Sequence, residues 1–331
     1  MTSTMRAWRV TRDGEPTEVM NLDEVDVPAP GPGEVLLRTR AVAVSFPDVL
    51  LARGQYQVRP GLPFVPGIEL CGDVVAVGED VDESRVAVGQ RVVGSAIGVL
   101  AEHAVLPAAS CRPAPASLDD AQAAALTIAY QTAWFGLHRR AGLAAGDTLL
   151  VHAAAGGVGT AACQLGAAAG ATVIGVVGSE AKADVARASG AKHVLLRSDD
   201  LAARVKELTG GAGSDVVFDP VGGPSFEAST KCIAFEGRIV VVGFASGEAP
   251  PVRANHALVK NYSVLGLHWA LYQQRDPDLV DTAHAELTRL AASGAVRPVV
   301  ADVLPFDRAP EAVALLADGS TTGRLVVHVA D

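Results

Sequence analysis

From residue 149 to residue 178 the chain carries no Asp, Glu, Lys or Arg, and this stretch constrains the fold more than any other. A membrane helix needs about 20 apolar residues in one unbroken run. Here Gly156, Gly157, Gly159, Gly166, Gly170 and Gly175 interrupt the run, and its period changes partway. An apolar strand over Thr148–Val151, a glycine turn, a helix over residues 160–169 and a second strand over residues 171–177 account for both features. Neither strand alternates with polar residues, which predicts burial on both faces in a helix-covered parallel sheet.

The alternation continues with a helix over residues 180–189 stopped by Gly190 and a strand over residues 193–196. A helix over residues 201–208 and strands over residues 214–218 and 238–242, with a helix between them, complete a doubly wound α/β pattern. Before about Pro115 the chain reads differently, as short strands over residues 33–44, 71–78 and 90–94 separated by Pro and Gly. Such spacing suggests a small barrel-like antiparallel domain. Ser117-Leu118-Asp119-Asp120 reads as a helix start, with the Ser117 hydroxyl as cap and carboxylates in the first turn, and the Ala-rich run to about His138 as a helical bridge. After about Val264 the pattern is mixed and ends in an alternating strand over residues 323–329. The expected organisation is therefore a β-rich domain over 1–122, a nucleotide-binding domain over 123–263, and a return to the first domain over 264–331. A chain of 331 residues suits two cores rather than one.

A net charge of -10 with no basic run argues against a nucleic-acid partner. Cys71, Cys111, Cys163 and Cys232 are widely spaced without a CxxC pair, as expected of reduced thiols in a cytoplasmic protein. The first eight residues lack the apolar core of a signal peptide. No membrane partner is expected.

Ala154-Ala155-Gly156-Gly157-Val158-Gly159, between an apolar strand and a helix, is a dinucleotide fingerprint of the GxGxxG type with Ala at its first position. Gly156 and Gly157 let backbone N–H groups approach a pyrophosphate. Gly159 lets the helix pack close to the strand, with the helix N-terminus facing the negative charge. The next strand ends in Gly178-Ser179, without the carboxylate that binds a ribose 2′-hydroxyl in NAD sites. Ser179 can donate a hydrogen bond, Lys182 adds charge, and Arg197 at the end of the third strand reaches the same adenosine pocket. Glu180 pulls the other way, yet the balance favours NADPH.

These motifs resemble the zeta-crystallin-like, zinc-free quinone oxidoreductases of the medium-chain dehydrogenase/reductase superfamily. The resemblance runs along the whole chain. It rests on residues 153–159, on Leu62-Pro63-Phe64-Val65-Pro66-Gly67-Ile68-Glu69 leading into Gly72-Asp73-Val74-Val75-Ala76-Val77-Gly78, and on Phe218-Asp219-Pro220-Val221-Gly222-Gly223. It implies a Rossmann doubly wound sheet inserted into a GroES-like catalytic domain, and a homodimer. Zinc enzymes of the superfamily have Gly-His-Glu where this chain has Gly67-Ile68-Glu69, and no cysteine stands near Ser45-Phe46-Pro47-Asp48. Ile68 cannot bind a metal, and the structural four-cysteine lobe is missing. Cys71, His103 and Glu69 remain as ligand types at a spacing that matches no zinc motif. No metal is expected.

By the same resemblance Thr132 touches the nicotinamide end, while Val158, Val221 with Gly222, and the Gly243-Phe244-Ala245-Ser246 turn line the remaining cofactor. Tyr56 aligns with a tyrosine that is catalytic in related enoyl reductases and can donate a proton. Ser45 stands where many quinone-reducing relatives have Asn, and Leu50 where some have Tyr, so the acceptor stays open. His268, on a further expected wall of the site, reads as a packed or surface histidine. The leading reading is hydride transfer from NADPH to a small-molecule quinone or enone. The alternatives are an enal or enoyl reductase, and a non-catalytic crystallin-like or RNA-binding protein.

Overall fold

The computed structural model describes residues 3–330. The first strands are β1 (Thr4–Val10), β2 (Met20–Asp26), β3 (Glu34–Val44), β4 (Leu70–Val77), β5 (Arg91–Gly94), β6 (His103–Pro107) and β7 (Cys111–Pro113). Then follow β8 (Thr148–Val151), β9 (Thr172–Val177), β10 (His193–Leu196), β11 (Ser214–Asp219), β12 (Ile233–Val241) and β13 (Ser263–Gly266). The chain closes with β14 (Val300–Pro305) and β15 (Arg324–His328). By packing, residues up to Ile128 and from Arg297 onward form one unit, and Ala129–Val296 forms the other.

In the first unit β1 and β2 form an antiparallel pair. The larger sheet runs β14-β15-β3-β4-β5-β7, with β6 also pairing β3. Its core gathers Val35, Leu37, Val42, Leu70, Val92, Leu100, Leu106 and Val327. Two buried groups lie beside this core. The Arg324 guanidinium pairs with the Glu69 carboxylate, whose Oε2 also accepts the Ile128 N–H at 2.8 Å. Burial pushes the Glu69 carboxyl up to about 7, against the pull of Arg324. A charge-linked chain on the same unit joins Asp73, Arg40, Asp120 and Arg91 at 2.6 to 3.2 Å. It fastens the start of the helix Asp120–Ala124 to β3, β4 and β5.

The second unit is a six-stranded parallel sheet in the order β10-β9-β8-β11-β12-β13. This is the Rossmann arrangement, in which the strand order reverses beside the first strand and leaves a crevice at the carboxyl ends. Leu150, Ile174, Val176, Val217 and Ile239 build its core against Leu201, Val205 and Phe226 of the covering helices.

Three expectations shift. The Ala-rich bridge is broken: a helix Asp120–Ala124, a second helix Thr127–Trp134, and a π-helical turn Phe135–Arg140. Asp119 rather than Ser117 caps the first of these, accepting the Gln122 N–H at 2.8 Å. Residues 264–296 stay with the second unit instead of leaving it at 264. There β13 extends the parallel sheet, and the helix Pro277–Ala292 buries Val280, Ala283, Leu287 and Leu290. Trp134 Nε1 donates to Glu286 Oε2 at 2.8 Å, so this helix is held by the segment that opens the unit.

Arg324→Ala strands the Glu69 carboxylate in the core. It is expected to cost about 3–5 kcal/mol, read as the loss of stability of the first unit in urea unfolding followed by circular dichroism.

Candidate dinucleotide site

β8 ends at Val151, and Ala153 then takes φ +50°, a left-handed conformation that turns the chain sharply. The helix Gly157–Ala168 starts immediately after, with Gly156 at its N-cap and no side chain capping it. The first-turn N–H groups therefore have no side-chain acceptor and face an incoming anion with the favourable end of the helix dipole. A Cβ on Gly159 would sit 2.0 Å from the Ala153 carbonyl oxygen. Only glycine permits this approach, which brings the helix start down onto the turn. Gly156, Gly157 and Val158 are half-buried at its mouth. The geometry fits a pyrophosphate.

At the end of β9 the chain passes through Gly178 and Ser179, both exposed, into a 3₁₀ turn Glu180–Lys182 before the helix Ala183–Ala188. A Cβ on Gly178 would lie 3.5 Å from Arg197 Nη2, which places the guanidinium against that strand end. Arg197 thus lies against the strand end from which the chain runs into Ser179 and Lys182. Asp199 and Asp200 are close by in sequence. Asp199 accepts the Leu196 N–H at 2.9 Å, and Asp200 caps the helix Leu201–Leu208 through the Ala203 N–H at 3.1 Å.

The far side of the crevice is also joined. Asp219, buried at the end of β11, accepts the N–H groups of Val221 and Gly222 through Oδ1 at 2.8 and 3.0 Å. The Ala245 and Ser246 N–H groups donate to the Pro220 and Val221 carbonyls at 3.1 and 3.0 Å. A Cβ on Gly222 would touch Phe244 at 3.1 Å. Val221, Gly243 and Phe244 are therefore held in one structure, with Phe244 exposed. Thr132 is buried within the helix Thr127–Trp134. His268 is exposed. A cleft of about 530 Å³ opens at the carboxyl ends of β8 to β11, lined by the apolar Val176, Leu201 and Val221 and by the charged Arg197, Asp199 and Asp200.

His152 forms part of this cleft and was not singled out from the sequence. It is buried, with Nε2 2.7 Å from Ser229 Oγ, and Asp219 acts on its charge. His152 immediately precedes the glycine motif, and Asp219 stands inside another quoted motif, but nothing in their spacing told that the two meet.

In the first unit, Ser45 and Asp48 form a capping box at the helix Phe46–Ala52. The Ser45 N–H donates to Asp48 Oδ2 at 2.8 Å, its hydroxyl lies 3.3 Å from the same oxygen, and the Gly67 N–H donates to Oδ1 at 3.1 Å. Burial pushes the Asp48 carboxyl up to about 6. Tyr56 is half-buried. Burial first, and the Asp48 charge second, push its phenol upward, which keeps it protonated at neutral pH. Ile68 is buried, Glu69 is committed to Arg324, and the Cys71 thiol is pushed up to about 12 by burial. Among the described residues no group of three or more His, Cys, Asp or Glu is placed to hold a metal ion.

Comparison with known proteins agrees with this geometry. Residues 31–116 match the alcohol dehydrogenase GroES-like domain, and residues 157–285 match the zinc-binding dehydrogenase family. A quinone oxidoreductase-like protein 2 homolog of Nematostella vectensis is 38% identical over 302 residues, covering 90% of this chain and 82% of that protein. The Escherichia coli quinone oxidoreductase solved with NADPH superposes with a TM-score of 0.90 at 32% identity, covering 99% of this chain and 100% of that one. A phthioceranic/hydroxyphthioceranic acid synthase of Mycobacterium tuberculosis is 36% identical over 310 residues, which are 91% of this chain and 14% of the synthase.

The chain thus belongs to the medium-chain dehydrogenase/reductase superfamily, with a GroES-like domain and a Rossmann domain. Within it, this is an oxidoreductase of the zinc-free quinone oxidoreductase family.

Gly159→Ala forces the helix start away from Ala153. It is expected to cost about 1–3 kcal/mol of stability by overpacking, and to weaken dinucleotide binding in a fluorescence titration.

Proposed function

We propose that the protein transfers a hydride from NADPH to a quinone or a similarly electron-poor small molecule. The observation that carries the cofactor assignment is Arg197, which lies against Gly178 at the strand end leading into Ser179 and Lys182, together with the uncapped helix start at Gly156. Gly156, Gly157, Val158 and Gly159 hold the pyrophosphate, and Ser179, Lys182 and Arg197 hold the 2′-phosphate. Thr132, Val221, Gly243 and Phe244 line the remainder. The NADPH-bound state of the Escherichia coli relative supports this reading.

When bound, the nicotinamide supplies the hydride, and the protein contributes alignment and exclusion of water. A quinone is electron-poor enough to take the hydride without a Lewis acid to polarise it. That agrees with Ile68 standing where zinc relatives have a ligand. Ser45 fixes Asp48 at the start of its helix, and the protonated Tyr56 supplies the proton that follows the hydride. A second reading, reduction of an enal or enoyl thioester, is favoured by Tyr56 and by the match to the phthioceranic/hydroxyphthioceranic acid synthase. In that case the proton from Tyr56 matters more.

We further propose a cytoplasmic homodimer. Four buried, free cysteines suit a reducing compartment, and no described helix is long and apolar enough to cross a membrane. Strand β13 is an open sheet edge, and Leu258 and Val259 near it are each 81% exposed. A second copy paired along that edge would cover them.

Lys182→Ala and Arg197→Ala are each expected to weaken NADPH about tenfold or more while leaving NADH within about twofold, by titration. Equal losses for both cofactors would remove these residues from the 2′-phosphate site. Turnover of a naphthoquinone, a 2-alkenal and an enoyl thioester, followed at the nicotinamide absorbance, assigns the acceptor. Tyr56→Phe is expected to lower kcat by about 10²-fold or more on the alkenal and thioester, and an unchanged rate on every accepted substrate would exclude Tyr56 as the proton donor.

A further inference from the structure

Behind His152 and Ser225, which line the cleft, hydrogens can be counted. Ser229 Oγ lies 2.9 Å from the Ser225 carbonyl oxygen and 2.7 Å from His152 Nε2. A hydroxyl has one hydrogen, and a carbonyl oxygen can only accept. The Ser229 hydrogen therefore goes to Ser225, and the contact with His152 is an N–H donated by Nε2 to Ser229 Oγ. All three side chains of the network, His152, Ser229 and Asp219, are buried, and burial lowers the imidazole's affinity for a second proton. The ring is thus neutral, with its hydrogen on Nε2 and a bare lone pair on Nδ1.

Nδ1 has no hydrogen-bond partner among the described residues. Nearby, Asp219 Oδ1 takes two backbone N–H groups, and its Oδ2, sealed from solvent, has no donor among the described residues. His152 lines the cleft, so its Nδ1 is an acceptor without a protein donor that a ligand there can use.

The walls say which donor. Val176, Leu201 and Val221 are the apolar part of the lining, beside the charged Arg197, Asp199 and Asp200, and the volume of about 530 Å³ lies within the range of small-molecule sites. A flat heteroaromatic base fits against the apolar side chains, and the ribose 2′-phosphate of the same ligand would then lie toward Arg197, the cation of the lining nearest the β9 end.

We infer that His152 reads the base of the cofactor, its Nδ1 accepting a hydrogen from the exocyclic amine of adenine. This rests on the NADPH site proposed above. A base carrying a carbonyl in place of that amine would set two lone pairs against each other. His152 is then a specificity-determining residue, and Ser229 a positioning residue that fixes its tautomer.

The test compares dissociation constants, by nicotinamide fluorescence and calorimetry on the full chain, for NADPH and for reduced nicotinamide hypoxanthine dinucleotide phosphate. The deaminated dinucleotide is expected to bind about tenfold more weakly, the scale of one lost hydrogen bond. In His152→Leu the ratio should fall to near one, because NADPH weakens and the analogue does not. Should that variant fail to fold, Ser229→Ala releases the tautomer and is expected to shrink the ratio as well. Equal affinities in the wild type, or a tenfold preference surviving in His152→Leu, overturn the inference while leaving the NADPH site intact. Failure of the wild type to bind either dinucleotide overturns both.

Discussion

The helix after β8 can reach its place only because residue 159 has no side chain. Any Cβ there would run into the Ala153 carbonyl at 2.0 Å, and the helix start would have to lift off the turn. Lifting it would move the uncapped N–H groups of the first turn away from the strand end, and with them the region of positive potential that attracts a pyrophosphate. The strand order reverses beside β8, which leaves a crevice at the strand ends between β8 and β11. The glycine and the topology depend on each other: one lets the helix close in, the other keeps the strand ends open.

The remaining polar groups around the crevice serve mainly to hold backbone in place. Asp219 organises Val221 and Gly222, and Asp200 caps its helix. In the first unit the buried pair Glu69 and Arg324, and the capping box at Asp48, do the same for the segments around Gly67 and Ile128. Carboxylates this deeply buried carry a desolvation cost that only several donors offset. The buried ones, Asp48, Glu69 and Asp219, each have at least two such donors, although Asp219 Oδ2 itself has none among the described residues.

Much of the fold was legible because its signals are local. Apolar strands without alternation, glycine punctuation and an acid-free strand end sit within short windows, so the parallel sheet, the fingerprint and the placement of Ser179 near Lys182 could be read in order. Boundaries were less legible. The exit from the second unit was expected at 264, but β13 and the helix Pro277–Ala292 remain there because their partners, β12 and Trp134, lie far away in sequence. The cap at Asp119 instead of Ser117 shows the same limit on a smaller scale, since several residues in a row could have served.

By itself the sequence determined the doubly wound sheet, the glycine turn and the absence of a metal ligand at Ile68, since each depends on residue type and near neighbours. Tertiary structure alone decided that His152, Asp219 and Ser229 share one buried network. They come from β8's end, β11 and the helix Gly223–Cys232, and only the parallel pairing of β8 with β11 brings them within hydrogen-bonding and electrostatic range. Hydrogen-bond direction and tautomer are set by such contacts, which no one-dimensional pattern records.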